Sequence, residues 1–228
     1  MDYIERPGIS GVSRVFGVFL NYSLEEATMG DFSTTIRGHF LEYIDYSHTY
    51  LVDGIEVPSV SQLVKMAMPG RYKFVKSDVL ERAAAAGTRV HKAIEDYCTN
   101  ETPSDLPELE GFKTLVVANN LEVVKVEQPL IIWHRGKPIA AGRCDLIMEQ
   151  AGKTGVADIK RVSALNRQAV SLQLNLYRLG VQQCLGLEVK WLAALQLKEQ
   201  YKRFVPVSVD DTMPTDLLDQ LALCENSF

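Results

Sequence analysis

The stretch GRCDLIMEQAGKTGVADIKR, Gly142 to Arg161, constrains this chain more than any other. Two runs, Arg143 to Glu149 and Gly155 to Arg161, flank a turn containing Gly152 and Gly155, which predicts an antiparallel hairpin. A hairpin symmetric about the Ala151 and Gly152 junction sets Asp145 opposite Asp158. The two-residue period of a strand then puts Lys160 on the same face as Asp158. Leu146, Met148, Ala157 and Ile159 alternate with these and can face a core, leaving the acidic pair on a side that is wet or functional. Neighbouring carboxylates repel unless a cation lies between them. A hard divalent ion such as magnesium, which prefers oxygen ligands, suits that place. The ordinary alternative is a pair of hairpin surface charges, one of them bridged to Lys160 across the sheet.

At 228 residues the chain is long enough for one domain with a sizeable core. It has no run of eighteen apolar residues, and MDYIERPGIS lacks the pattern of a secretory signal. A soluble, cytoplasmic protein with no membrane partner is expected. Cys98, Cys144, Cys184 and Cys224 are far apart with no C-x-x-C pair, which argues against a zinc site or a disulfide framework and for reduced, mostly buried thiols. The formal charge of -5 gives no general attraction for nucleic acid, although a local basic patch or bound cations can supply one.

Residues 1–47 carry little signal. Gly8, Gly11 and Gly17 interrupt a mixed run, Leu24 to Met29 suits one helical turn, and His39 and His48 have no acidic neighbour at ligand spacing. From His48 the pattern sharpens. Thr49 to Val57 reads as two short strands around Asp53-Gly54, and a helix capped by Ser59 or Ser61 runs to about Met68, stopped by Pro69-Gly70. A longer helix spans Ser77 to about Cys98, with His91 and Glu95 on one stripe, ordinarily a solvated one. A helix from Glu108 to Asn120 follows a polar loop. EVVKVEQPLIIWH then begins three consecutive antiparallel strands, the turn Arg135-Gly136-Lys137-Pro138 leading into Ile139 to Glu149. A helix from Asn166 to Leu185 carries Gln173 and Tyr177 on one face. Strands at Lys190 to Lys198 and Tyr201 to Val207 and a helix from Pro214 to Cys224 complete the chain.

His91, Gly142-x-x-Asp145, Asp158-x-Lys160 and Gln173-x-x-x-Tyr177, in that order on helix, strand, strand and helix, resemble the PD-(D/E)XK nuclease superfamily, in particular its RecB-like branch. YLVDGIEVPSVSQLV followed by ERAAAAGTRVHKAIEDY looks like the N-terminal part of phage-type exonucleases in that branch. The resemblance covers residues 49–198. It divides the chain into an extension, 1–47, and a nuclease domain, 48–228. It implies an α/β (α+β) fold with a restriction-endonuclease-like core, a central mixed sheet of four to five strands flanked by helices. It further implies that Asp145, Asp158 and the Ile159 carbonyl bind Mg2+ or Mn2+, as one or two ions, and that His91 binds or adjusts a second metal position. Lys160 would position the attacking water and stabilise charge at phosphorus. Gln173 and Tyr177 would order the site and contact the nucleic-acid backbone. Glu127 could reach the site from the preceding strand and Glu95 from the helix, a surface role being equally open for both. Relatives with an iron-sulfur cluster use a close C-terminal group of three cysteines, which is missing from this chain, so no cluster is expected.

Arg161, Arg167 and Arg178 follow the acidic pair, and Arg82, Arg89 and Lys92 share the helix of His91, so phosphate contacts without sequence readout are expected of them. The resemblance implies a DNA exonuclease of phage or prophage recombination or repair, with a single-strand annealing protein as partner and a ring or other homo-oligomer as assembly. An endonuclease or single-strand-specific nuclease on the same fold, and a catalytically silent DNA-binding scaffold, are the competing expectations.

Overall fold

Four short strands of mixed polar and apolar residues, punctuated by left-handed turns, begin the described part of the chain. The computed structural model describes residues 31–68 and 77–225. The turn expected at Leu24 to Met29, the glycines Gly8, Gly11 and Gly17, and the Pro69-Gly70 stop lie outside them. β1 (Phe32–Ile36), β2 (His39–Ile44), β3 (Thr49–Val52) and β4 (Ile55–Val57) form a four-stranded antiparallel meander in sequence order. Asp53 and Gly54, at φ 53° and 78°, supply the pair of positive φ angles that matches the twist of a tight hairpin. Because β2 pairs with β3, the sheet crosses the boundary expected at residue 48, and residues 32–47 form half of it.

α1 (Val60–Ala67) starts at Ser59, whose hydroxyl accepts from the Gln62 amide at 3.0 Å while the Gln62 side chain accepts from the Ser59 amide. That reciprocal cap satisfies two backbone donors that the first turn leaves open. α2 (Ser77–Asn100) and α3 (Pro107–Ala118) follow, then β5 (Leu121–His134), β6 (Lys137–Gln150) and β7 (Lys153–Lys160). α4 (Arg167–Leu185) crosses from β7 to β8 (Trp191–Lys198), and β9 (Tyr201–Val207) and α5 (Thr212–Glu225) complete the described fold. The second sheet runs β5-β6-β7-β8-β9, antiparallel except for the β7 and β8 pair. Two parallel neighbours need a long crossover, and α4 is that crossover.

The mixed sheet separates two cores. Val90, Ile94, Leu109 and Phe112 from α2 and α3 pack on Leu146, Met148, Ala157 and Ile159. Val170, Leu174 and Val181 of α4, with Val60 and Leu63 of α1, pack on Leu130, Ile132, Ile147 and Val156. A third cluster joins the small sheet to the large one through Ile131 and Ala141. Leu130, Ile131 and Ile132 are therefore all fully buried, because β5 is covered on both faces, and the sequence shows an unbroken apolar run there. The same burial narrows one expectation. Leu146, Met148, Ala157 and Ile159 do face a core, and of the two readings of the acidic side, wet or functional, the wet one fails: Asp145 is 6% exposed and Asp158 is 1% exposed.

Two close approaches fix the sheet against its surroundings. A Cβ on Gly155 would lie 2.0 Å from the Trp191 indole on the neighbouring strand. One on Gly142 would lie 3.1 Å from both Tyr177 of α4 and Val60 of α1. Among the described residues, no helix is long and apolar enough to cross a membrane.

Candidate metal centre

Three carboxylates stand in file across three adjacent strands. The pairs Val126↔Leu146 and Gln128↔Cys144 bracket Glu127 and Asp145, which therefore face each other across β5 and β6. The ladder of β6 and β7 ends at Leu146↔Ala157, so the next step of the same register sets Asp145 beside Asp158 as the hairpin symmetry predicts. A bulge brings Glu127 into line. Trp133 pairs with Pro138 but Ile132 pairs with Ala140, leaving Ile139 as an extra residue on β6. Without that extra residue Glu127 would oppose Cys144. Glu127 also takes a left-handed backbone, φ 46°, a conformation that costs a non-glycine residue about 1–3 kcal/mol and that gathers at functional sites.

α2 contributes His91, held in place by the buried neighbours Val90 and Ile94. Its Nε2 donates to the Ile159 carbonyl at 3.2 Å, while Nδ1 lies 3.2 Å from Glu127 Oε1 and 3.7 Å from Asp145 Oδ2. Asp145 Oδ2 accepts from the Ile159 amide at 2.7 Å. Both ring nitrogens thus face oxygens, an environment for an imidazolium. Burial opposes that charge, but Asp145, Glu127 and Asp158 outweigh it and raise the His91 pKa from 6.5 to about 9. The Ile159 carbonyl, expected to meet a metal, instead serves His91, which leaves Nδ1 as the nitrogen that faces the carboxylates.

Lys160 is the second cation. Its Nζ lies 2.6 Å from Asp158 Oδ2 and donates to Gln173 Oε1 at 2.9 Å. Gln173 in turn hydrogen-bonds the Tyr177 side chain, so the pair on α4 orders the lysine. Tyr177 is 5% exposed, and burial holds its hydroxyl far above the usual range, as a neutral donor. Burial likewise raises Asp158 from 3.8 to about 6, against the pull of Lys160, with repulsion from Asp145 adding to the rise. Arg143 is the third cation, its Nε 2.7 Å from Glu127 Oε2. Sequence reasoning passed over it, although it sits two residues before Asp145 and so shares that face of β6.

One oxygen from Glu127, one from Asp145 and a nitrogen of His91 all lie within 4.8 Å of one another, a group that could hold a metal ion. Asp158 stands beside this group, its buried Oδ2 met by the Lys160 ammonium at 2.6 Å.

Several expected contributors stand elsewhere. Glu95 pairs with Lys92 at 3.2 Å along α2, and Lys92 also meets Asp96 at 3.0 Å. Arg161 donates to the buried Glu108 at 2.8 Å. Arg178 is 5% exposed and pairs with Asp211 inside the fold. Arg178 therefore cannot meet a phosphate as expected, and Arg161 and Lys92 are engaged by carboxylates. Arg89 and Arg167 are exposed. His39 lies 2.7 Å from Asp53, an acidic neighbour that sequence spacing did not reveal.

Fold and site together define the class: a mixed α+β protein with a partly buried imidazole and carboxylate group that could hold a metal ion. No protein-family model matches the chain, and no curated protein matches it. Among solved structures, one titled "Crystal structure of SSO0001" matches with 19% identity and a TM-score of 0.41, over 75% of this chain and 77% of that one.

Proposed function

We propose that this protein is a divalent-metal-dependent deoxyribonuclease of the PD-(D/E)XK type, acting as an exonuclease on linear ends with Mg2+ or Mn2+. The observation that carries the proposal is the convergence of Glu127, Asp145 and Asp158 with His91 and Lys160, from one helix and three adjacent strands, on one largely buried spot. Cleaving a phosphodiester requires a nucleophilic water, neutralised phosphoryl oxygens and relief for the leaving oxygen. A bound divalent ion supplies Lewis acidity and a more acidic water. Asp145 and Glu127 would hold it, with Asp158 beside them and His91 Nδ1 facing the same point. Lys160, 2.6 Å from Asp158 and aimed by Gln173, would donate to the phosphoryl oxygens as charge develops. Tyr177, 5% exposed, acts through its hydrogen bond with Gln173 and shows the cleft only a small part of its ring.

End-labelled linear duplex, single-stranded DNA and closed circles, incubated with Mg2+, Mn2+ or chelator, test the proposal. Metal-dependent loss from ends, abolished by Asp145→Ala and by Lys160→Ala, is expected. Cutting of circles would make the enzyme an endonuclease instead. One observation favours a silent scaffold: the three carboxylates already face three cations, His91, Lys160 and Arg143. DNA binding without cleavage in any metal, unaltered in both variants, would decide for that scaffold.

A further inference from the structure

A cleft of about 390 Å³ opens beside the metal centre, between the small sheet, α1 and β6. Its outer wall carries Tyr43 and His48, its rim carries Lys65, and its inner end is formed by Arg143, Tyr177 and Glu127. None of the sequence motifs requires Tyr43, His48 or Lys65 to be there. We propose that this cleft is a subsite for one unpaired nucleotide of a single-stranded nucleic acid. The base would lie on the Tyr43 and His48 rings and the phosphates would lie between Lys65 and Arg143. This rests on the nuclease assignment and adds the strand form that the site takes.

Tyr43 is built to be a fixed platform. Phe32, Tyr43 and Tyr50 stand opposite one another on β1, β2 and β3. The Tyr43 ring lies 5.5 Å from Phe32 and 4.7 Å from Tyr50, centre to centre. Tyr50 is buried within the sheet's packing against β5 and β6, whereas Tyr43, at the cleft, stays half-buried. The Tyr43 hydroxyl and His48 Nδ1 are 2.8 Å apart, tying the second ring to the first. His48 is exposed, and its left-handed backbone, φ 50°, sets it where the chain turns from β2 to β3. A ring already held in place loses little entropy when a base stacks on it, and such stacking tolerates any base.

The charges suit a phosphate on the rim. Lys65 is exposed and, like several other lysines, makes no ion pair among the described residues, and it is the lysine that lines the cleft. Arg143 is 40% exposed and turns Nε to Glu127. The opposing charges are Glu127, held by Arg143, Glu95, which also acts on Arg143, Asp45 and Asp31 near the Tyr43 hydroxyl, and Glu56 in the neighbouring pocket that Lys65 also lines. The cleft has the volume of a small-ligand site, room for one nucleotide, and a base laid on the Tyr43 ring inside it has left its own duplex pairing. Glu127 belongs to both the cleft and the metal group, so a strand seated here leads into the cluster.

Fluorescence anisotropy of a labelled fifteen-residue oligothymidylate, with chelator present, reads the subsite without calling on metal. Tyr43→Ala is expected to weaken binding about tenfold, in the range for losing one base stack, and Tyr43→Phe, which keeps the ring and loses only the tie to His48, to weaken it far less. Lys65→Ala, at an exposed position of α1, is expected to weaken binding and to make the salt dependence shallower by about 0.7 in log–log slope. Thermal unfolding checks that each variant is folded. Equal affinity in Tyr43→Ala and Lys65→Ala overturns the subsite, as does a blunt duplex that competes as well as the oligothymidylate. If the wild type degrades linear DNA with Mn2+ while those variants bind unchanged, the subsite alone fails. If the wild type neither binds nor degrades DNA, the nuclease assignment fails and the subsite goes with it.

Discussion

Lowering the pH is expected to weaken metal binding steeply, because Nδ1 of His91 must be free of its proton before the ring can coordinate an ion. In the metal-free fold, burial disfavours the imidazolium, yet Asp145, Glu127 and Asp158 lift its pKa from 6.5 to about 9. A histidine whose pKa is raised on folding contributes stability that is complete below 6.5 and is lost as the pH rises through about 9. An ion that takes the neutral ring competes directly with that stabilising proton. Between about pH 8 and about pH 6.5 the neutral fraction falls from about one in ten to about one in three hundred. Apparent Mn2+ affinity should therefore fall about 30-fold, or ~2 kcal/mol. The window stays above the Asp158 pKa of about 6, so His91 dominates the proton exchange. Calorimetric titration of Mn2+ at both pH values, repeated in buffers of different ionisation enthalpy, gives the affinity ratio and the protons released, expected to be about one. His91→Gln should bind more weakly at the higher pH and lose most of the pH dependence. Wild-type affinity that is the same at both pH values, with no proton released, would refute the placing of the imidazolium and the metal in one space.

Asp158→Asn should abolish cleavage without lowering metal-free stability at about pH 7.5. The Asp158 pKa is raised in the fold from 3.8 to about 6, so its carboxylate costs stability progressively as the pH rises through that interval. Removing the charge is worth between zero and ~3 kcal/mol after the lost ion pair with Lys160 is counted, and a clear drop in melting temperature would contradict this. Gly155→Ala places a Cβ within 2.4 Å of three Trp191 indole atoms and disturbs the 2.9 Å bond from Trp191 Nε1 to the Lys153 carbonyl. A loss of about 3 kcal/mol in urea unfolding is expected, and a loss below about 1 kcal/mol would show the contact to be slack. Ser59→Ala removes the side-chain half of the α1 cap and should cost about 1 kcal/mol in the same assay, with metal affinity unchanged.

The hairpin of β6 and β7 was readable because its turn is symmetric and its two-residue period is unbroken from Gln150 back to Leu146. That regularity carried Asp145 to Asp158 and kept Lys160 on the same face. The β5 and β6 hairpin was only half readable. Its Arg135-Gly136 turn is plain in the sequence, but the bulge at Ile139 is not, and one extra residue decides whether Glu127 meets Asp145 or Cys144. Nothing in the letters around Glu127 announces a left-handed backbone, since glutamate seldom adopts one. The arginines show the opposite difficulty. Arg161 and Arg178 look like phosphate contacts in sequence, and only the fold reveals Glu108 and Asp211 as their partners. The small sheet was cut at residue 48 because β1 and β2 lack strict alternation, whereas the Asp53-Gly54 turn signals β3 and β4 by itself.

β6 is shared property. The amide of Ala141 donates to the Pro58 carbonyl at 3.1 Å, Gly142 admits Tyr177, Arg143 holds Glu127, and Asp145 faces His91. The loop that launches α1, the ordering helix, the cleft and the acidic file all hang from one short length of backbone. A shift of the small sheet on meeting a strand would travel along that length as a tilt of the rod, reaching the carboxylates without any intermediary. Main-chain changes between Ala141 and Asp145 should thus damage every activity together, and variants that separate binding from chemistry are to be sought among side chains that leave this rod straight.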